Sequence, residues 1–164
     1  MDIEQRIQVL EDRERIKELM ATYCFMVDDD KCAELVNDHF THDAHCDFRF
    51  RPDGLPPLIA KVQEEALPPF ISNGRDEVVN FFRNFVGLLL KDMSHTMHNL
   101  RIVVDGDRAS GDCYFELTAR DATTSVPMTG AGRYFDEFER VDGEWLFSQR
   151  KADIFYIVPL SPGW

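Results

Sequence analysis

Two dipeptides, Asp105-Gly106 and Asp142-Gly143, each stand between long runs rich in β-branched and aromatic residues, and they constrain the fold more than any other feature. Asp-Gly accepts the positive φ that a tight hairpin turn needs, so the runs on either side should pair antiparallel. "HNLRIVVDGDRASGDCYFELTAR" therefore reads as two strands about Asp105-Gly106-Asp107, and "AGRYFDEFERVDGEWLFSQRKADIFYIV" as two more about Asp142-Gly143. The second half of the chain is a mostly antiparallel meander.

The first half follows a different period. Ile16, Leu19, Met20, Tyr23, Cys24 and Val27 recur at the spacing of one face of an amphipathic helix. That helix runs into three carboxylates, Asp28, Asp29 and Asp30, although a helix C-terminus carries partial negative charge and favours cations. Asp28 continues the apolar face, whereas Asp29 and Asp30 rotate away from it. Asp29 is expected in solvent, and Asp30 is expected to N-cap a second helix in "DKCAELVNDHF". "DAHCDFRF" alternates as a half-buried strand, with Ala44, Cys46, Phe48 and Phe50 on one side and His45, Asp47 and Arg49 on the other. The Pro-punctuated "RPDGLPPLIAKVQEEALPPF" reads as a long loop with one helical turn in "AKVQEEAL". A third helix is expected over "NGRDEVVNFFRNFVGLLLKDM", with Val78, Phe81, Phe82, Phe85 and Leu89 at helical spacing. Helices followed by an antiparallel meander imply an α+β fold, a curved sheet with helices packed on one face.

At 164 residues, with a 44% hydrophobic share and 13 Phe, residues 1–164 suffice for a single domain with a sizeable core. A formal charge of −12 opposes binding to nucleic acid or anionic membrane surfaces. The N-terminus lacks the pattern of a secretory signal, and "FFRNFVGLLL" is too short and too interrupted to span a bilayer, so a cytoplasmic location is expected. Cys24, Cys32, Cys46 and Cys113 have no zinc-like spacing and read as free thiols.

A carboxylate on an apolar helix face must protonate or find a cation or hydrogen-bond donors. "SHTMHNL" offers His95 and His98, and histidine is the side chain best suited to proton transfer near neutral pH. A carboxylate bonded to one ring nitrogen fixes the tautomer and makes the other nitrogen a better base. Strict alternation puts His95, Met97, Asn99 and Arg101 on one face of a strand and His98, Leu100, Ile102 and Val104 on the other. Only one histidine then faces the helices unless a bulge intervenes, and the more apolar face favours His98. The spacing of His39, His42 and His45 begins in a helix and ends in a strand, so no single element presents all three to a metal.

The ordered elements "YCFMVD" (Tyr23, Asp28), "SHTMHNLRIVVDGDRA" and "GAGRYFDEFERVDGEWLFSQRKADIFY" resemble the SnoaL-like branch of the nuclear transport factor two superfamily. That branch includes scytalone dehydratase, γ-hexachlorocyclohexane dehydrochlorinase and bile-acid dehydratases. The resemblance spans roughly Ile16 to Tyr156 and implies a cone-shaped α+β barrel with an apolar pocket. It implies that Asp28 orients His95, followed four places on by Asn99, and so prefers His95 to His98. It also implies that Tyr23 donates to a substrate carbonyl and that Arg150 contacts substrate. His98 and Arg133 are further candidates for substrate contact.

The implied activity is that of a lyase (dehydratase or dehydrohalogenase) or an isomerase acting on a small apolar ring compound, with no cofactor, no metal, and a dimeric or trimeric assembly. The apolar tail "FYIVPLSPGW" suits packing on a neighbour or over a pocket mouth. The alternative is a non-catalytic ligand-binding module, or a small structural subunit like the β subunit of ring-hydroxylating dioxygenases, which "GRYFDEFERVDGEW" resembles.

Overall fold

The computed structural model describes residues 2–51 and 71–160. Helix α1 (Ile3–Asp28) begins at a reciprocal cap, in which the Gln5 N–H donates to the Asp2 side chain (2.9 Å) and the Asp2 N–H donates to the Gln5 side chain (3.0 Å). Its apolar face, from Ile16 to Val27, is buried against the sheet.

The helix ends on the three acids, and the ending corrects one expectation. Asp30 adopts φ 59°, its N–H bonds to the Val27 carbonyl (3.2 Å), and the Lys31 N–H reaches back to Met26 (2.8 Å). This is the left-handed stop that terminates many helices, and Asp tolerates it better than most residues. Asp30 therefore ends α1; it does not cap α2 (Cys32–His39), whose N-cap position is Lys31 with no capping bond from its side chain. Asp29 is exposed and pairs with Lys31 at 2.9 Å.

Strand β1 (Phe40–Phe50) starts directly after α2 and pairs antiparallel with the short β2 (Ile71–Asn73) and parallel with the last strand. Helix α3 (Arg75–Phe81) runs on through a π-helical turn (Phe82–Val86) and a final turn (Gly87–Leu89). The helix expected to reach Met93 stops earlier, because Leu90 is already extended and pairs with Asp121. Pairing in the sheet overrides the local helical pattern there. The long Pro-punctuated loop and its helical turn lie outside the described residues, as does the end of the apolar tail, whose first residues belong to the last strand.

Strands β3 (Leu90–Asp105), β4 (Arg108–Asp121), β5 (Pro127–Val141) and β6 (Glu144–Pro159) form the meander. The sheet order is β2-β1-β6-β5-β4-β3. Asp142 and Gly143 both take positive φ, 53° and 88°, as a two-residue hairpin turn of this hand requires. With the helices on one face, the curved, unclosed mixed sheet is the α+β fold expected from the sequence pattern, with the cone shape that the resemblance implied. No helix among the described residues is long and apolar enough to cross a membrane.

The alternation of the sheet breaks at several places, and two of them bear on the site. In β3, two residues (Asn99 and Leu100) stand opposite one (Cys113) between the pairs His98–Tyr114 and Arg101–Asp112, and Asn99 has φ 56°. In β6, Ser148 is the extra residue between the pairs Phe138–Phe147 and Glu137–Gln149. Each bulge shifts by one the set of residues that faces the helices. Inward residues change from His95 and Met97 to Leu100 and Ile102 in β3, and from Trp145 and Phe147 to Arg150 and Ala152 in β6.

The N-terminal half of α1 is tied down by a single carboxylate. Asp12 is 2% exposed and accepts from Trp145 Nε1 (3.1 Å), Arg140 Nη2 (2.7 Å) and Gln8 Nε2 (3.1 Å). Burial alone would raise its pKa, but the bonds from Arg140, Trp145 and Gln8 outweigh burial and hold it below the ordinary carboxylate value. Asp12→Ala should therefore cost about 2–4 kcal/mol in urea unfolding near neutral pH. A depressed folded pKa gives stability that is present above the unfolded value, near 4, and is lost as pH falls through the folded value. The gap between wild type and Asp12→Ala should close on that acid side; a gap that stays constant there would sink this account.

Candidate active site

Asp28 occupies the last turn of α1, where its charge meets unfavourable carbonyl dipoles. Two donors from β3 answer it. The His95 backbone N–H donates to Oδ2 (2.9 Å), and His95 Nδ1 lies 2.6 Å from Oδ1. A carboxylate only accepts, so Nδ1 carries the shared proton, and in a neutral imidazole the lone pair then belongs to Nε2. Both side chains are largely buried, His95 at 7% and Asp28 at 17% exposure.

The histidine ring lines an apolar cavity of about 60 Å³, walled by Phe82, Met93, Phe115 and Ile154 and also reached by Tyr23 and Tyr134. The alternation argument that favoured His98 fails because of the Asn99 bulge: strict alternation back from Leu100 and Ile102 would have turned His98 inward. His98 instead lies on the outer face, 43% exposed, stacked on Tyr114 and 3.9 Å from Glu116.

Tyr23 is 1% exposed. Behind its ring lies Arg150, which has no exposed surface and forms a two-pronged pair with Asp136, Nε to Oδ1 at 2.8 Å and Nη2 to Oδ2 at 2.7 Å. The guanidinium carbon sits 3.7 Å from the centre of the Tyr23 ring, 4.2 Å from Tyr134 and 4.4 Å from Phe147, so three aromatic faces share its charge. Burial raises the Asp136 carboxyl, and the Arg150 charge opposes that rise. Burial also raises both tyrosines above their ordinary value, again opposed by Arg150, so both are neutral donors at physiological pH.

The structure thus brings His95 and Tyr23 to one cavity, bonds Asp28 to His95, sets Arg150 behind Tyr23, and places the remaining candidates elsewhere. Asn99 is the exposed bulge residue. Arg133 is on the outer face, paired with Asp112 and stacked on Phe135. Sequence reasoning missed Tyr134 and Asp136. Their signal was the strict alternation of Met128, Gly130, Gly132, Tyr134, Asp136 and Phe138, all buried on β5.

The four cysteines are free and buried; burial pushes the thiols of Cys24 and Cys32 up to about 11 and those of Cys46 and Cys113 up to about 12, so they stay protonated. Among the described residues, no group of three or more His, Cys, Asp or Glu is arranged to hold a metal ion.

A sequence model of the SnoaL-like domain matches residues 8–151. No curated protein matches the chain. The fold is similar to that of the hexachlorocyclohexane dehydrochlorinase LinA-type3 from Novosphingobium barchaimii, at 22% identity over 94% of this chain and 93% of that one, with a TM-score of 0.73. It is similar as well to a candidate scytalone dehydratase from Novosphingobium aromaticivorans, at 21% identity over 94% of this chain and 91% of that one, with a TM-score of 0.72. A nuclear transport factor 2-like superfamily protein from Salmonella enterica serovar Typhimurium aligns at 14% identity over 92% of both chains, with a TM-score of 0.68.

Asp136→Ala should cost about 3–5 kcal/mol in denaturant unfolding, because it strands the Arg150 charge in the core. Arg101→Ala, which removes a mostly exposed partner of Asp112, should cost less than about 1 kcal/mol. Equal losses would mean that the core charge is answered by something other than Asp136.

Proposed function

The chain belongs to the SnoaL-like domain family, and on that premise we propose that it is a cofactor-independent lyase or isomerase with His95 as its general base. The observation that carries this reading is the use of both Asp28 oxygens on one residue, one on the His95 ring and one on its backbone N–H. Asp28 holds the Nδ1 proton and fixes the ring; Nε2 then takes a proton from a carbon next to a carbonyl or a leaving group. The freed electron pair forms a double bond and expels halide, or hydroxide that leaves as water by taking the proton back from His95 Nε2; in an isomerisation that proton returns to another carbon. Tyr23 polarises the carbonyl oxygen.

Arg150 acts in this reading as a positioning residue behind the Tyr23 ring, not as a contact to a departing anion, because it has no exposed surface. His98, Asn99 and Arg133 have no part in it. The apolar walls of the cavity suit a small ring compound. The exposed outer-face residues Val103, Tyr114 and Phe135 support a homo-oligomer, dimer or trimer, built on the sheet. A monomer at micromolar concentration in sedimentation equilibrium would count against that assembly.

A second reading, a non-catalytic binding or structural subunit, is favoured by the cavity volume. About 60 Å³ is far below the roughly 300 Å³ of a usual ligand pocket, so a ring enters only if wall side chains move. Equilibrium dialysis with cyclohexenone and 1-naphthol separates the two: binding of neither favours the subunit.

Against a substrate found by screening cyclic ketones and alcohols, Asp28→Asn and His95→Ala should each lower kcat by about 10²–10⁴. Unchanged turnover in both variants would overturn the assignment of the base.

A further inference from the structure

We propose that the substrate carries a carbonyl or phenolic oxygen, and that Tyr134 binds this oxygen beside Tyr23 as a second hydroxyl donor; this rests on the reading of His95 as the base. The argument is a count of protons. The Tyr23 and Tyr134 rings meet at 6.0 Å and both reach the cavity, and the groups near the Tyr23 hydroxyl are the Arg150 guanidinium, the Tyr134 hydroxyl and the Cys24 and Cys46 thiols. Arg150 only donates, so it takes up no hydroxyl proton, and a thiol sulfur is a weak acceptor. Between two hydroxyls, one proton can be used in a mutual bond, and the other is then left without a strong acceptor among these neighbours. Both tyrosines line the cavity. An unused O–H in an apolar cavity is costly unless a ligand supplies an acceptor.

The pair is built to stay in place. The rings of Tyr23 and Tyr134 meet edge to face at 6.0 Å, and Phe115 stacks on Tyr134 at 4.3 Å. Gly132 makes that stack possible, because a Cβ there would lie 2.5 Å from the Phe115 ring and 2.6 Å from the Asp153 carbonyl oxygen. Phe115 also borders His95, with ring centres 6.4 Å apart, so base and hydroxyl pair share one cavity across a single aromatic ring.

The step balances without a further reactant. Nε2 of His95 takes the proton, the C–H electron pair moves into the new carbon–carbon double bond, and the carbonyl electrons move onto oxygen. The two hydroxyls donate to that oxygen without giving up their protons. When the carbonyl re-forms, the pair either expels the leaving group or accepts a proton at another carbon. A halogenated hydrocarbon without oxygen offers the pair only weak acceptors, so the site selects for oxygenated rings.

The test uses 4-nitrophenol, titrated spectroscopically at a pH where the free probe is ionised, and nitrobenzene as its hydroxyl-free counterpart. Wild type should bind the phenolate more tightly than nitrobenzene. Tyr134→Phe and Tyr23→Phe should each lose about tenfold or more in phenolate affinity and change little toward nitrobenzene. Tyr134→Phe keeps the ring on which Phe115 stacks, and the wild-type preference itself is measured without any variant. A wild type that binds nitrobenzene but shows no phenolate preference, or a Tyr134→Phe variant with wild-type phenolate affinity, would overturn the proposal. His95→Ala should retain the preference: if it also retained turnover, the base reading would fail while the hydroxyl pair stood. Binding of neither probe would sink both.

Discussion

Arg150 carries a charge that no ordinary pH removes, in a place where no water reaches it. Everything around it follows from that constraint. Asp136 supplies the opposite charge in a two-pronged bond, and Tyr23, Tyr134 and Phe147 turn their faces to the guanidinium. Those rings in turn fill the space between α1 and the sheet. A buried pair of this kind adds little net stability over apolar residues of the same volume, yet it penalises any rearrangement that separates its members. It therefore fixes the two phenol rings more firmly than dispersion contacts alone would.

At the other end of the cavity a similar solution appears with a weaker base. Asp28 stands at the negative end of a helix and is answered by two donors from a single residue, so α1 and β3 are locked together beside the cavity that the His95 ring lines. The two carboxylates hold their partners differently. Asp136 spends both oxygens on a permanent cation, through Nε and Nη2 of Arg150, whereas Asp28 occupies one nitrogen of a ring that has two.

Much of this was legible in the sequence. The helical face from Ile16 to Val27 singled out Asp28 among three acids, and the Asp-Gly turns located both hairpins, because each depends on a short-range period or a local backbone requirement. What was not legible depends on pairing between distant segments. Asp30 was assigned to the wrong helix because a left-handed stop and an N-cap draw on the same residue types. The third helix was carried too far because "LKDM" has no local signal that β4 lies beside it. For the site, periodicity alone chose His98, and only the resemblance pointed to His95. Tyr134 went unnoticed because an aromatic residue on a strand usually belongs to the core, and here the same side chain is core on one side and cavity wall on the other.

The bulges in β3 and β6 have a consequence for how such a site can change. A strand normally exchanges an inward residue only by substitution, one position at a time. Around Asn99 and Ser148, moving one inserted residue along the strand would exchange whole sets of side chains between cavity and outer surface. His95 and His98, three positions apart, have opposite parity, so they are alternatives in a single structural choice. Descent with insertion and deletion can thus hand the cavity-facing position from one ring to another without mutating either.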